Sequence, residues 1–434
     1  MKYDIEFPMI KWAKDLFPLC RSITGLGIQK TLRYFIKLNP EFKILKFPSG
    51  KKVFDWIIPD EWNIKDSFLE DKNGKKYCQL KKSNLHVVSY SQPINKTVTK
   101  KELLKHIYTL KDQPNSIPYV TSYYKKRWGF CMTENQKKKL PNGKYKVFID
   151  SSLKKGNLEI IEAVKKGASN KEIFFSTYAC HPSMVNNELS GPVLLNAIFK
   201  YIKQKYKKTK YSYRFVILPE TIGSITYINK RIKILKKNII CGFNLTMVGD
   251  ERGYTVTESR TGKTLSDDAL KASLIGLKNV SYYNFLIGRG SDERQYCSPK
   301  VDLPIATFSK ISIYPEYHTN KDDFKLVTQK GLMESFNVIK NIIDCFELSL
   351  YPKNNFFCEP NLGKRNLYPT VGLSNFNSKK ERIANISSTL ETRLQIIACA
   401  DGKTNIFQIC NKLKVPIEKI INELKILKIN KIIF

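Results

Sequence analysis

Apolar residues along this chain recur at a period that changes from segment to segment, and each change predicts a different architecture. Over 1–40, Met9, Trp12, Ala13 and Leu16 repeat at helical spacing, stop at the polar turn Arg21-Ser22-Ile23-Thr24-Gly25-Leu26-Gly27, and lead to a second helix at 31–38. From about 48 to 150, short alternating runs at 52–58, 85–90, 119–124 and 145–150, broken by Pro, Gly and Asn, predict a mostly β module. Between 151 and 350 the order becomes strand then helix: 173–178 into 192–203, 213–218 into 223–233, 239–248 into 265–275, and 305–313 into 330–348. That alternation predicts an α/β sheet with helices on both faces. Residues 351–385, rich in Pro, Asn, Gly and Ser, read as a linker. Residues 386–434 combine helical runs at 389–399, 404–413 and 416–427 with a short strand at 429–434, the pattern of a winged helix.

At 434 residues and 42% hydrophobic, the chain can bury a substantial core. No window nears the ~18 continuous apolar residues of a membrane span. The start Met1-Lys2-Tyr3-Asp4-Ile5-Glu6 is acidic where a signal peptide is basic, so a cytoplasmic address is expected. The ten cysteines form no Cys-x-x-Cys pair and read as reduced thiols. A net charge of +35 suits a nucleic-acid binder, but lysine far outnumbers arginine and is scattered, with no basic stripe interleaved with aromatics. Nucleic acid is therefore not expected as the main partner, although the winged-helix tail keeps DNA contact open. Attraction to anionic substrates remains open as well.

Candidate chemistry gathers just past the predicted strand ends, where open α/β sheets hold their ligands. His181 and His318 are two of only four histidines, and both fall there with Glu220 and Asp250. His181 leads into a loop carrying the oxygens of Asn187 and Glu188 and then a helix start at Ser190-Gly191-Pro192. Glu220, in Pro219-Glu220-Thr221-Ile222-Gly223-Ser224, points a carboxylate into the same crevice, as the general base of a metallo-hydrolase does. The run Gly288-Arg289-Gly290-Ser291-Asp292-Glu293-Arg294 offers Asp292 to orient a ligand or bind a substrate amine, and Tyr317 stands beside His318 to donate to an oxyanion. Cys180 precedes His181 without a basic neighbour in sequence, which disfavours a nucleophilic thiol.

In order and wording these segments resemble the co-catalytic zinc aminopeptidases. Closer still, Trp128-Gly129-Phe130-Cys131, Cys180-His181-Pro182-Ser183-Met184, Glu188-Leu189-Ser190-Gly191-Pro192, the Glu220 turn, Gly290-Ser291-Asp292-Glu293-Arg294-Gln295-Tyr296-Cys297-Ser298-Pro299 and Pro315-Glu316-Tyr317-His318-Thr319 resemble a bacterial group of aminopeptidase-like proteins of unknown function. The resemblance implies an α/β, zinc-aminopeptidase-like mixed sheet with helices on both faces. It divides the chain into N-terminal helices of the peptidase-like domain (1–47), an inserted β-rich domain (48–150), the peptidase-like α/β domain (151–350), a linker (351–385) and a winged helix (386–434). It implies His181, Asn187 and His318 as metal ligands, Glu220 and Tyr317 as catalytic groups, and Glu188, Asp292 and Arg294 toward the substrate.

Departures from the aminopeptidase pattern bear on the metal. Ser183 and Thr221 stand where that pattern has acids, Asn187 takes the bridging Asp position, and Thr246 replaces the acid after the next strand, with Asp250 four residues on. A dinuclear site loses most of its carboxylates, so one zinc ion held by His181, His318 and an oxygen of Asn187 or Glu188 is the simpler expectation. The expected activity is amide hydrolysis by metal-activated water, acting on a small peptide or amide-bearing sugar, in surface-polysaccharide metabolism. The rival is a catalytically silent carbohydrate- or peptide-binding protein on a peptidase scaffold. Homo-oligomerisation is left open.

Overall fold

The structure, a computed structural model, describes residues 6–311, 313–368 and 389–434. Its centre is an eight-stranded mixed sheet built from β1 (Lys43–Pro48), β2 (Asn157–Lys165), β3 (Glu172–Tyr178), β4 (Ser212–Leu218), β5 (Ile239–Leu245), β6 (Tyr254–Thr257), β7 (Val280–Tyr283) and β8 (Ile305–Ser309), in the order β1-β2-β4-β3-β5-β8-β6-β7. Strands β4, β3, β5 and β8 are parallel neighbours; β1 and β2 add antiparallel pairs at one side, and β6 pairs antiparallel with β8 at the other.

Parallel strands buried on both faces read as continuous apolar runs, which is the texture of β3, Glu172-Ile173-Phe174-Phe175-Ser176-Thr177-Tyr178. Successive side chains point to opposite faces, so Phe174 and Phe175 enter different cores. On the Phe175 face lie α1 (Met9–Leu16), α2 (Leu26–Leu38), α3 (Ser190–Lys205), α5 (Leu265–Ser273) and α6 (Gln329–Ser349), with α4 (Ile222–Asn238) on the other. The core on the α4 side also takes in a second, four-stranded sheet of Glu61–Asp71, Lys76–Tyr77, Ile94–Thr99 and Lys144–Lys154.

The expected run at 85–90 is a single 3-10 turn, Asn84–His86, and 119–124 forms no strand. The tyrosines of 119–124 pack in three directions: Tyr119 against His318, Tyr123 against Tyr90 and Tyr124 against Trp56. Pro118 bridges Thr319, and the Tyr119 N–H donates to the His318 carbonyl at 2.7 Å.

The tail folds as α7 (Thr389–Cys399), α8 (Ile406–Leu413) and α9 (Ile417–Ile429). The expected strand at 429–434 reduces to one bridge, Ile433 to Asn354, so the start of the expected linker lies along the tail; its residues 369–385 fall outside those described. Helix α9 is the one a winged helix would offer to a DNA groove. Here Ile417, Ile420, Ile421, Leu424 and Leu427 are buried, Glu418 accepts from Asn341 of α6 at 2.7 Å, and Lys428 donates to the Leu348 carbonyl at 2.9 Å. No helix among the described residues is long and apolar enough to cross a membrane.

Two buried charge clusters tie the layers together. Arg214 of β4 donates to Glu172 of β3 (2.5 and 2.9 Å) and Glu162 of β2 (2.7 Å), and Glu162 also accepts from Tyr227 and Arg231 of α4. Removing the guanidinium leaves buried carboxylates unpaired, so Arg214→Met should lower unfolding free energy by about 3–5 kcal/mol in denaturant titrations. Asp344 of α6 accepts from Tyr201 (2.5 Å), Tyr206 (2.6 Å) and Lys205 (3.0 Å). Burial pushes its carboxyl up, but Lys340, the two tyrosines and Lys205 outweigh that and hold it below the ordinary value. A depressed folded pKa stabilises above the unfolded value of about 3.9, and that stability is lost as pH falls through the lower folded value. Thermal midpoints of the wild type should therefore drop more steeply between pH 5 and pH 2 than those of Asp344→Asn.

Candidate active site

Because β4, β3, β5 and β8 run parallel and adjacent, their carboxyl ends line one edge of the sheet, and the loops leaving them converge. The first is held tightly against the strands. Gly191, at the start of α3, lies so near the sheet that a Cβ there would sit 2.2 Å from the Thr177 hydroxyl and 2.5 Å from the Leu245 carbonyl.

In this loop His181 is buried, and its Nδ1 pairs with Glu188. The other Glu188 oxygen accepts from the Cys180 N–H at 2.5 Å, and Arg21 Nε donates to the His181 carbonyl at 2.9 Å. A carboxylate on one ring nitrogen fixes the imidazole and presents the other. That nitrogen, Nε2, stands 3.9 Å from Glu220 Oε2. Cys180, His181 and Glu188 are the one group of His, Cys, Asp and Glu among the described residues compact enough to enclose an ion. The chemistry argues against that trio. Both Glu188 oxygens are occupied, and burial pushes the Cys180 thiol far above its usual value, so the thiolate a metal needs is disfavoured. Glu188 is fully buried behind the ring, which corrects its expected substrate contact: it orients His181.

His318 lies outside the trio, yet its ring centre is 5.4 Å from that of His181, and Tyr119 packs edge-on against both at 4.7 and 5.3 Å. Two imidazoles sharing a tetrahedral ion, with bonds of about 2.0–2.1 Å to nitrogen, hold their ring centres roughly 5 Å apart. Burial, with the His318 and Arg21 charges, keeps His181 well below its ordinary value, and burial takes His318 down to about 4. Both are neutral, the form that ligates metals. Asn187 donates Nδ2 to the Tyr178 hydroxyl at 3.1 Å and its N–H to Asp322 at 2.9 Å, while its Oδ1 is buried without a hydrogen-bond partner. A bare buried oxygen costs about 1–3 kcal/mol and suits a cation. The donor set of two neutral imidazoles and one amide oxygen fits a single zinc ion.

Glu220 opens onto a cavity of about 290 Å³ lined also by Tyr178, Thr246, Ser291, Ile313 and Tyr317. Burial first, and Asp292 second, push its carboxyl up to about 8, while the Ser291 hydroxyl donates to Oε1 at 3.0 Å. Tyr317 stacks flat on His318 with centres 3.8 Å apart; burial and Glu220 push its hydroxyl up to about 12, keeping it a donor. Asp292 is fully buried. Its Oδ1 accepts from the Thr221 N–H (2.8 Å) and the Ser224 hydroxyl (2.7 Å), so its expected contact with substrate is replaced by bracing the Glu220 turn. That turn needs bracing: Thr221, β-branched, has φ of 62°. Arg294 reinforces it from the rim, donating to the Ser291 carbonyl at 3.0 Å and the Thr221 hydroxyl at 3.4 Å. Asp250 sits apart, bonded to Asn186 Nδ2 (3.0 Å) and the Arg252 N–H (2.9 Å).

Four contributors were not singled out from the sequence. Tyr178 closes the run 173–178, Arg21 opens the polar turn at 21–27, and Asp322 follows His318 by four residues. Tyr119 carried no local signal, since only the fold brings it to the histidines.

Comparison with known proteins identifies the family and the fold. Residues 10–349 match the family described as a domain of unknown function, DUF4910, and residues 350–434 match a winged helix-turn-helix family. A Clostridium acetobutylicum protein described as a candidate polysaccharide biosynthesis protein with an aminopeptidase-like domain is 40% identical over 365 residues, 83% of this chain and 82% of that one. The crystal structure of a candidate peptidase from the same organism superposes with a TM-score of 0.86 at 35% identity, covering 98% of this chain and 95% of that one. A zinc aminopeptidase from Bacillus subtilis shares the fold, with a TM-score of 0.57 at 15% identity over 79% of this chain and 95% of that one. The chain therefore belongs to the DUF4910 family, an aminopeptidase-like mixed α/β fold that here carries a C-terminal winged helix.

Proposed function

We propose that this protein is a hydrolase that cleaves an amide bond with one zinc ion held by His181, His318 and the Asn187 side-chain oxygen. The observation that carries the reading is the pair of imidazoles with ring centres 5.4 Å apart, with Glu220, which lines the cavity, 3.9 Å from His181 Nε2 and a bare amide oxygen on Asn187 of the His181 loop. When bound, zinc supplies a Lewis acid for the scissile carbonyl and lowers the pKa of water. Glu220, in its ionised form, accepts the proton of the attacking water through Oε2 and returns it to the departing nitrogen; its raised pKa makes it the stronger base for the first of these transfers. Tyr317 donates its hydroxyl to the carbonyl oxygen as charge develops. Thr246, Ser291 and the Tyr178 hydroxyl offer hydrogen bonds inside the cavity, while Ile313 gives it an apolar lip. A small peptide or an amide-bearing sugar meets these demands, the description of the Clostridium relative directs the choice toward polysaccharide biosynthesis, and the setting we propose is the cytoplasm.

A silent carbohydrate- or peptide-binding protein is the second reading. The observation favouring it is the scarcity of negative charge: Asn187 and Thr221 are neutral, and Glu188 faces away behind His181.

Elemental analysis of untagged protein separates the two. The wild type should carry about one zinc per chain, and His181→Ala and His318→Ala should each lose it; a wild type that takes up no metal when zinc is offered would establish the silent module. On an amide substrate found by screening small peptides and N-acyl sugars, Glu220→Gln should keep its zinc and lose about 10²- to 10⁴-fold in kcat. Unchanged turnover would remove Glu220 from the role of base.

A further inference from the structure

Away from the strand ends, the hairpin formed by Lys52–Val53 and Trp56–Ile57 turns large apolar residues into water. Phe54 is 52% exposed, Trp56 37% and Ile57 55%; facing them, Tyr124 is 54% exposed. Scattered single apolar residues on a surface need no explanation, but a contiguous set rimmed by polar groups marks a binding face. Here the set is also built. Trp56 and Tyr124 meet edge to face with centres 5.8 Å apart, and the Tyr124 hydroxyl donates to the Ile57 carbonyl at 3.3 Å, joining the hairpin to the 122–126 segment. Beside this pair runs a groove of about 600 Å³ whose lining includes Asp60, Gln92, Lys125, Lys126 and Lys155. Lys155 pairs with Asp60 at 2.7 Å, whereas Lys125 and Lys126 are exposed and form no ion pair among the described residues.

We propose that this groove binds an acidic oligosaccharide, with one pyranose face stacked on the surface that Tyr124 and the adjoining Trp56 form at its edge and uronate carboxylates meeting Lys125 and Lys126. A sugar ring presents an apolar C–H face and a hydroxyl rim, and the groove answers each: aromatic rings for the face, the Gln92 amide and Asp60 carboxylate for the hydroxyls. Asp60 opposes a phosphate backbone, and the cations are lysines, which act as point charges, with no arginine fork in the lining. An edge-to-face pair also offers a single stacking surface, unlike the successive platforms on which a nucleic-acid strand lies. At the back of the groove, the Tyr123 hydroxyl is 2.7 Å from that of Tyr119, whose ring touches His181 and His318, so the groove backs onto the candidate active site through one pair of tyrosines.

The test is a tryptophan-fluorescence and calorimetric titration of the full chain with hexagalacturonate, cellohexaose and the oligonucleotide (dT)6. Hexagalacturonate should bind saturably, with cellohexaose about tenfold weaker, a difference of 1.4 kcal/mol. Trp56→Ala, and separately the pair Lys125→Gln and Lys126→Gln, should each weaken hexagalacturonate about tenfold with circular dichroism unchanged. Glu220→Gln should bind it like the wild type, which keeps this site separate from the hydrolytic one. Equal affinity for cellohexaose, tighter binding of (dT)6, or full binding by Trp56→Ala would overturn the proposal, the last by reducing it to general attraction of a polyanion to a chain of net charge +35.

Discussion

One buried carboxylate holds the candidate site together. Asp322, four residues after His318, accepts the backbone N–H groups of Val185 (3.1 Å), Asn186 (2.5 Å) and Asn187 (2.9 Å), and the Tyr314 hydroxyl (3.0 Å). It thereby locks the loop after β8 onto the loop after β3, two segments that the chain separates by more than a hundred residues. Burial pushes this carboxyl up to about 6, but three convergent N–H donors favour its ionised form, as they would an anion in a backbone nest. That anchor ties the loop carrying Asn187 to the loop carrying His318, and it adds to the Tyr119 contacts that set the spacing of the two histidines.

Around this anchor each functional group is oriented by a partner that does no chemistry. Glu188 sets the His181 ring, Asp292 and Arg294 hold the strained turn that aims Glu220, and Tyr119 wedges against both imidazoles. Arg21 completes the set. It is fully buried, has no acidic partner among the described residues, and gives two donors to the carbonyls of His181 and Leu16, the second at 2.6 Å. An unpaired guanidinium in the interior is expensive, and keeping one beneath a strand end is understandable where the position of that strand end must not drift.

The strand–helix alternation from 173 to 348 was readable because strands buried on both faces are apolar throughout and helices covering them keep a 3.6 period. Its loops then pointed to His181, Glu220 and His318 by topology alone. The short strand Tyr254–Thr257 and the edge strand Val280–Tyr283 escaped, since four residues are too few to display a period. The run 119–124 imitated a strand because tyrosine, valine and threonine favour strands, whereas here they serve a loop whose rings pack against separate neighbours. Glu188 and Asp292 were legible as acids near the site but not as acids behind it: spacing places a residue in a loop, and only packing decides whether its oxygens face the cavity or the backbone.

The way the tail is seated has a further consequence. Helix α9 lies against α6, α8 bonds to α5 through Asn411 and the Asp268 carbonyl at 3.0 Å, and Arg393 of α7 is buried against Glu423 of α9 at 2.8 Å. The seam between enzyme-like body and appendage is thus a continuation of the interior. Such a junction resists shuffling: a different tail grafted at residue 350 would have to reproduce the apolar stripe of α6 as well as fold by itself. The two parts share one core.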